Sequence, residues 1–172
     1  MTMENFKEKL NKITTFLFDI DGVITDGKVF VFENGEIVRN MNSKDSYAIQ
    51  LAAKKGYRIG VISGGNSQPI KKALENLGVH DVFLSQRDKL DCYKDFIEVN
   101  QLTDNEILYM GDDLPDYDVM KRVGVAACPN NSAHEIKEIC IYISNRNGGE
   151  GSVRDIIEQV MRCQGTWEIS GW

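Results

Sequence analysis

The stretch Phe16-Leu17-Phe18-Asp19-Ile20-Asp21-Gly22-Val23-Ile24-Thr25-Asp26-Gly27 decides how the chain is read. From Ile13 to Phe18 it is apolar apart from the β-branched Thr14 and Thr15, the pattern of a buried strand. That strand delivers Asp19 and Asp21, one residue apart, at its carboxyl end, and Gly22 permits a sharp backbone departure. In an open α/β sheet, ligands bind in the crevice beyond the strand ends, so both carboxylates stand where chemistry is expected. Alone, the segment leaves a plainer reading open, in which the aspartates only make a turn. An EF-hand loop fails, because its third oxygen position would fall on Val23 and a strand precedes it.

The chain around this stretch repeats the pattern. Tyr57 to Ile62 reads as a second buried strand, ending in Ser63-Gly64-Gly65-Asn66 before a helix from about Ser67 to Leu77. A hydroxyl and glycines just before a helix amino terminus suit phosphate binding, although this is also a common loop composition. Val82 to Ser85 is a short third strand, and Lys89 opens the next helix, where a solvated surface charge is the plainer reading. Ile107 to Met110 is a fourth strand, followed by Gly111-Asp112-Asp113-Leu114-Pro115-Asp116. Carboxylates gathered without histidine or thiol favour a hard ion such as Mg²⁺. Gly124 to Ala127 and Ile139 to Tyr142 suggest further strands, and Ser152 is expected to cap a last helix reaching Cys163. Strands alternating with helices indicate a single α/β domain over residues 1–172, with a doubly wound, mostly parallel sheet.

Between the first two strands, residues 28–39 place Asn34-Gly35 between β-rich segments, a strong hairpin signal. Val29 to Phe32 is apolar on both faces, so the hairpin is expected to bury itself against something, a partner subunit included. Ser43 or Asp45 is expected to cap the following helix, which ends near Gly56. The tail, 165–172, has no periodic pattern and reads as flexible.

Composition narrows the classes of function. With 172 residues the chain can bury one substantial core. A net charge of −6 and no block of Lys and Arg argue against nucleic-acid binding. No apolar run approaches membrane-spanning length, and the charged amino terminus lacks the core of a signal peptide. The four cysteines have irregular spacing and no CxxC, which reads as reduced thiols in a cytoplasmic protein. His80 and His134 are read as structural.

The four strand-end segments together resemble the haloacid dehalogenase superfamily. Asp19-Ile20-Asp21-Gly22-Val23 matches its first motif, Ser63 its second, Lys89 its third and Gly111 to Asp116 its fourth, in the family's order. More narrowly, residues 12–163 resemble the 3-deoxy-D-manno-octulosonate 8-phosphate phosphatases and related sialic-acid-type sugar phosphate phosphatases. The marks of that branch are Thr25-Asp26-Gly27, Gly-Asp-Asp-Leu and the late Gly148-Gly149-Glu150-Gly151-Ser152-Val153-Arg154. No insertion is large enough for the superfamily's cap domain, and only the hairpin occupies a cap-like place. Two positions depart from relatives: Gly65 stands where they often have arginine, and Asn42-Ser43-Lys44-Asp45-Ser46 where they often read Asn-Val-Arg-Asp-Gly.

The resemblance implies a phosphatase with Asp19 as nucleophile and Asp21 as acid and base. Ser63, Gly64 and Lys89 would hold the phosphoryl group. Asp19, Asp112 and the Asp21 backbone carbonyl would ligate Mg²⁺, with Asp113 and Asp116 orienting waters and Lys89. Lys44 and Arg146 are the candidates for contacting the sugar acid, Arg146 through its carboxylate, against the equal reading of Arg146 as an ordinary surface cation. The expected substrate is the eight-carbon sugar acid phosphate, with the nine-carbon analogue as the alternative. A homotetramer is favoured. A scaffold without catalysis is the alternative of another class.

Overall fold

The computed structural model describes residues 5–168. A short helix α1 (Phe6–Leu10), closed by an Asn5–Glu8 capping box, leads into β1 (Thr15–Phe18). A tight turn over Ile20–Ile24 follows, in which Asp21 and Gly22 have non-helical backbone angles. Next come a hairpin of β2 (Phe30–Val31) and β3 (Ile37–Val38), helix α2 (Ser43–Lys54), and β4 (Arg58–Ile62). Helix α3 (Gln68–Asn76), β5 (Asp81–Phe83), α4 (Lys89–Val99) and β6 (Ile107–Met110) continue the alternation. The chain ends with α5 (Tyr117–Met120), β7 (Val125–Cys128), α6 (His134–Ile139), β8 (Tyr142–Ile143) and α7 (Ser152–Cys163).

Six strands form one sheet in the order β5-β4-β1-β6-β7-β8, and every pair in it is parallel. The chain builds outward from β1 first to one side and then to the other. That makes β1 the point where the winding reverses, and the crevice beyond its carboxyl end is where such sheets bind ligands. All four residues of β1, of β6 and of β7 are buried. Alternate side chains of β1 serve opposite layers. Phe16 and Phe18 pack with the apolar faces of α2 (Ala48, Ile49, Ala52) and α7 (Val153, Ile156, Ile157, Val160). Leu17 packs on the other side with Tyr93 and Phe96 of α4, Val119 of α5 and Ile136 of α6. The expected three-layer α/β sheet is the fold observed.

Two local expectations, both about helix caps, are corrected. Asn42 caps α2 by accepting from Lys44 N, which leaves Asp45 for another task. Asp45 is buried and accepts from the backbone N–H groups of Gly151 (3.2 Å) and Arg154 (2.7 Å), so it caps α7 from across the layer. Ser152 therefore does not cap that helix. The cap position is Gly151, in the left-handed region at φ 105°, and the buried Ser152 Oγ has no partner. The described part of the tail makes contacts with the domain. Thr166 N donates to Met161 O, Tyr57 Oη bonds Thr166 Oγ1, and Glu168 pairs with Lys55. Residues 169–172 of the expected flexible tail lie outside the described residues.

Candidate active site

Beyond β1 the backbone turns so tightly that Gly22 takes φ 91°. A Cβ at Gly22 would stand 2.0 Å from Asp112 Oδ2, so the loop after β6 can fold its carboxylate over this turn only because no side chain is there. Gly148 supports the turn from behind: a Cβ on it would lie 1.7 Å from Gly22 O, and Gly149 N donates to Val23 O at 3.0 Å. The late glycine-rich segment thus buttresses the catalytic turn.

The strand ends converge on a cleft of about 360 Å³ lined by Asp19, Asp21, Gly27, Ser63, Gly64, Gly65, Lys89, Asp112, Asp113, Pro115 and Asp116. At its floor lies Lys89, whose side chain is only 4% exposed. Its ammonium is 2.9 Å from Asp19 Oδ1 and 2.7 Å from Asp116 Oδ1. A lysine so placed is no solvated surface charge. Burial alone would lower its pKa, but the charges of Asp19 and Asp116 outweigh that and raise it. Asp116 is fully engaged: besides Lys89 it accepts from Tyr109 Oη at 2.7 Å and from Asp112 N at 3.2 Å. Tyr109 is completely buried on β6, and its hydroxyl, which needs a partner there, fixes Asp116 and through it Lys89.

Asp19 and Asp112 carry surplus negative charge. Burial, and then the neighbouring Asp116, push the Asp19 carboxyl up to about 7, against the pull of Lys89. Burial, followed by the charges of Asp19, Asp116 and Asp113, pushes Asp112 up to about 7 as well. Oxygens of Asp19, Asp112 and Asp116 lie within 4.8 Å of one another. An all-carboxylate donor set with unneutralised charge fits a hard divalent cation. Since Asp116 is bound by Lys89, Tyr109 and backbone, Asp19 and Asp112 are the side chains able to hold it.

Ser63 is buried at the end of β4, where its Oγ accepts from Gly65 N at 3.2 Å. That bond leaves the hydroxyl proton to be donated elsewhere. Gly64 is exposed on the rim, and Asp113 spends one carboxylate oxygen on Leu114 N. Asp21 lines the cleft and is paired with Arg39. It accepts from Arg39 Nε at 2.6 Å (Oδ1) and from Arg39 Nη2 at 3.2 Å (Oδ2).

Two candidates fall elsewhere. Lys44 and Arg146 are exposed and line a different cavity of about 390 Å³, with Glu150, Arg154, Asp155 and Glu158. Within one chain neither is among the residues that line the catalytic cleft. Sequence reading missed Arg39 and Tyr109. A tyrosine inside an apolar strand, just before an acidic loop, was a readable signal for a buried hydroxyl partner. Nothing local distinguishes Arg39 from other hairpin cations.

A family model for haloacid dehalogenase-like hydrolases matches residues 78–157. The 3-deoxy-D-manno-octulosonate 8-phosphate phosphatase of Salmonella typhi is 27% identical over 157 residues, covering 91% of this chain and 84% of the relative. The structure of a probable YrbI-family phosphatase from Pseudomonas syringae superposes with a TM-score of 0.91 at 31% identity, covering 93% of this chain and 91% of that one. The 3-deoxy-D-manno-octulosonate 8-phosphate phosphatase of Moraxella catarrhalis, solved with magnesium, phosphate and KDO, also gives 0.91, at 24% identity, over 95% of this chain and 94% of that one. Strand order and whole-length likeness agree: the chain belongs to the haloacid dehalogenase-like hydrolases, and within that superfamily it is a phosphatase.

Proposed function

We propose that the chain hydrolyses a phosphorylated 2-keto-3-deoxy sugar acid, 3-deoxy-D-manno-octulosonate 8-phosphate, with Asp19 as nucleophile and Mg²⁺ as cofactor. The observation that carries the reading is Lys89, buried between Asp19 and Asp116 at the floor of a cleft that also presents Ser63 and Asp112. Such an ammonium holds the Asp19 oxygens in place and faces the position of a phosphoryl group. The Salmonella relative, similar over most of the chain, supports the choice of sugar acid.

In the first step an Asp19 oxygen attacks phosphorus. The bond from phosphorus to the sugar oxygen breaks, and its electron pair leaves on that oxygen, which takes a proton from Asp21. A sugar alkoxide is a poor leaving group, so this proton matters. In the second step water attacks the aspartyl-phosphate and gives a proton to Asp21. The bond from phosphorus to Asp19 then breaks, releasing inorganic phosphate. Ser63 Oγ and Lys89 donate to the equatorial phosphoryl oxygens throughout, supplying the positioning and charge stabilisation on which phosphoryl transfer depends. Asp116 and Tyr109 keep Lys89 aimed. Asp19 and Asp112 would hold Mg²⁺, which would supply neutralisation of the carboxylates and electrostatic stabilisation of the phosphoryl group.

The working form is a homo-oligomer, with a tetramer favoured by the resemblance, and acts in the cytoplasm. Phe30 (64% exposed), Val31 (68%), Phe32 and Ile37 of the hairpin present an apolar patch to solvent that a second copy would cover.

A phosphate-release screen tests the substrate. With Mg²⁺ present, the eight-carbon sugar acid phosphate should give a higher kcat/KM than the nine-carbon analogue and than hexose 6-phosphates. Preference for the nine-carbon acid would reassign the substrate and keep the mechanism. A higher rate on hexose phosphates would overturn the sugar-acid reading.

A further inference from the structure

We propose that Arg39 is a specificity-determining residue, which holds Asp21 with one edge of its guanidinium and receives the carboxylate of the leaving group with the rest. The inference rests on the sugar-acid reading above and names the group that reads the acid.

Arg39 follows β3, and its guanidinium meets Asp21 and lies beside Gly65, two of the residues that line the cleft. Its side chain is 15% exposed and lies against Asp21, the residue that serves the leaving oxygen. The guanidinium is therefore beside the leaving group, whereas Lys89 is buried beneath the phosphoryl position. Two bonds to Asp21 use the Nε–H and one Nη2 hydrogen. A guanidinium carries five N–H donors, so three remain beyond that pair, in the planar arrangement that suits a carboxylate.

Position 65 supplies the room. A Cβ built on Gly65 would lie 3.2 Å from Asp21 Oδ2, 3.6 Å from Ser63 Oγ and 3.7 Å from Arg39 Nη2. Any longer side chain there would occupy the space between the phosphate-binding serine and the Arg39–Asp21 pair. Glycine leaves it for the substrate. The charge pattern also calls for such a residue. The cleft is lined by Asp19, Asp21, Asp112, Asp113 and Asp116, with Lys89 as the cation at its floor. A second anionic group on the substrate would meet repulsion from these carboxylates unless a cation stood at the mouth. Lys44 and Arg146 line another cavity, whereas Arg39 is bonded to Asp21, which lines this one.

Removing Arg39 also releases Asp21, and that consequence falls on every substrate. The diagnostic quantity is therefore a ratio: kcat/KM for 3-deoxy-D-manno-octulosonate 8-phosphate divided by kcat/KM for the same ester with its carboxylate converted to the primary amide. Effects on Asp21 and on the fraction of folded enzyme cancel in it. In Arg39→Met the ratio should fall roughly ten- to hundred-fold, the range for losing a hydrogen-bonded charge pair. Arg39→Lys, which keeps the charge and loses the fork, should retain more of the ratio than Arg39→Met. A parallel loss on both esters, with the ratio unchanged, would show that Arg39 serves Asp21 alone and would overturn the proposal. A wild-type enzyme that hydrolyses both esters equally would overturn it too, by defeating the sugar-acid reading on which it rests.

Discussion

Lys89 and Arg39 each pair with an aspartate of the same short segment, yet they belong to opposite kinds of structure. Lys89 is at the floor, where the ends of buried strands and Tyr109 surround it, and its two carboxylate partners are themselves almost inaccessible. Arg39 is at the mouth, on a hairpin whose own strands are two residues long and exposed. The floor is held by the core that holds the fold. The mouth is held by a few polar contacts at its base, Arg39 to Asp21 and Asn40 to Asp26, while its apolar side chains face outward. The proposed phosphoryl-transfer residues are thus attached to the sheet, and the proposed recognition residue to an exposed hairpin.

Breaking the floor should have the largest effects. Asp19→Asn removes the nucleophile at nearly constant volume, and phosphate release should fall by roughly 10³-fold or more while the circular dichroism spectrum is unchanged. Near-normal turnover by the folded variant would defeat the covalent mechanism. Lys89→Met leaves Asp19 and Asp116 buried without their cation, and chemical denaturation should show a loss of about 3–5 kcal/mol, as for other buried pairs deprived of one partner. A loss below about 1 kcal/mol, the range of surface pairs, would mean that the floor is no more tightly built than the mouth.

The metal prediction sharpens the same contrast through pH. Asp19 and Asp112 stand at about 7 in the folded chain against an ordinary 3.8, so each binds a proton more tightly folded than unfolded. The metal-free chain therefore loses stability as pH rises from about 4 to about 7, because charge accumulates in the buried cluster. A cation bound there restores it only where the carboxylates are ionised. Saturating Mg²⁺ should raise Tm by several degrees at pH 8, an effect reversed by chelator, and should raise it far less at pH 5.5. An equal shift at both pH values would place the ion away from these two residues.

The smallest effect on the fold is expected at the mouth. Phe30→Asp changes a side chain that is 64% exposed, and it should alter the monomer's stability by no more than about 0.5 kcal/mol. Sedimentation should nevertheless move toward smaller species, because the charge would sit in the contact between copies. A wild type that sediments as a monomer at micromolar concentration would remove the oligomer from the proposal and leave the hairpin as a bare flap.

By itself the sequence determined the elements whose signals are local. The apolar runs of β1, β4 and β6, each stopping at Asp19, Ser63 or Gly111, marked both the strands and the ends that carry polar groups. Asn34-Gly35 marked the hairpin because Gly35 must take a positive φ, 84° here. Tertiary structure alone decided what depends on partners distant in the chain. Asp45 reads as a cap for its own helix and instead caps α7, more than a hundred residues away, because Asn42 already serves α2. Arg146 reads as a residue that could reach the substrate, yet its loop is committed to supporting Gly22 from behind, and its side chain faces another cavity. Arg39 gave no sign in the sequence. Its role depends on where the hairpin returns to the sheet and on an empty position at Gly65, and neither is encoded in the residues beside it. Strands and turns follow from short-range sterics and burial pattern, whereas which charges meet is settled only when the whole chain has closed.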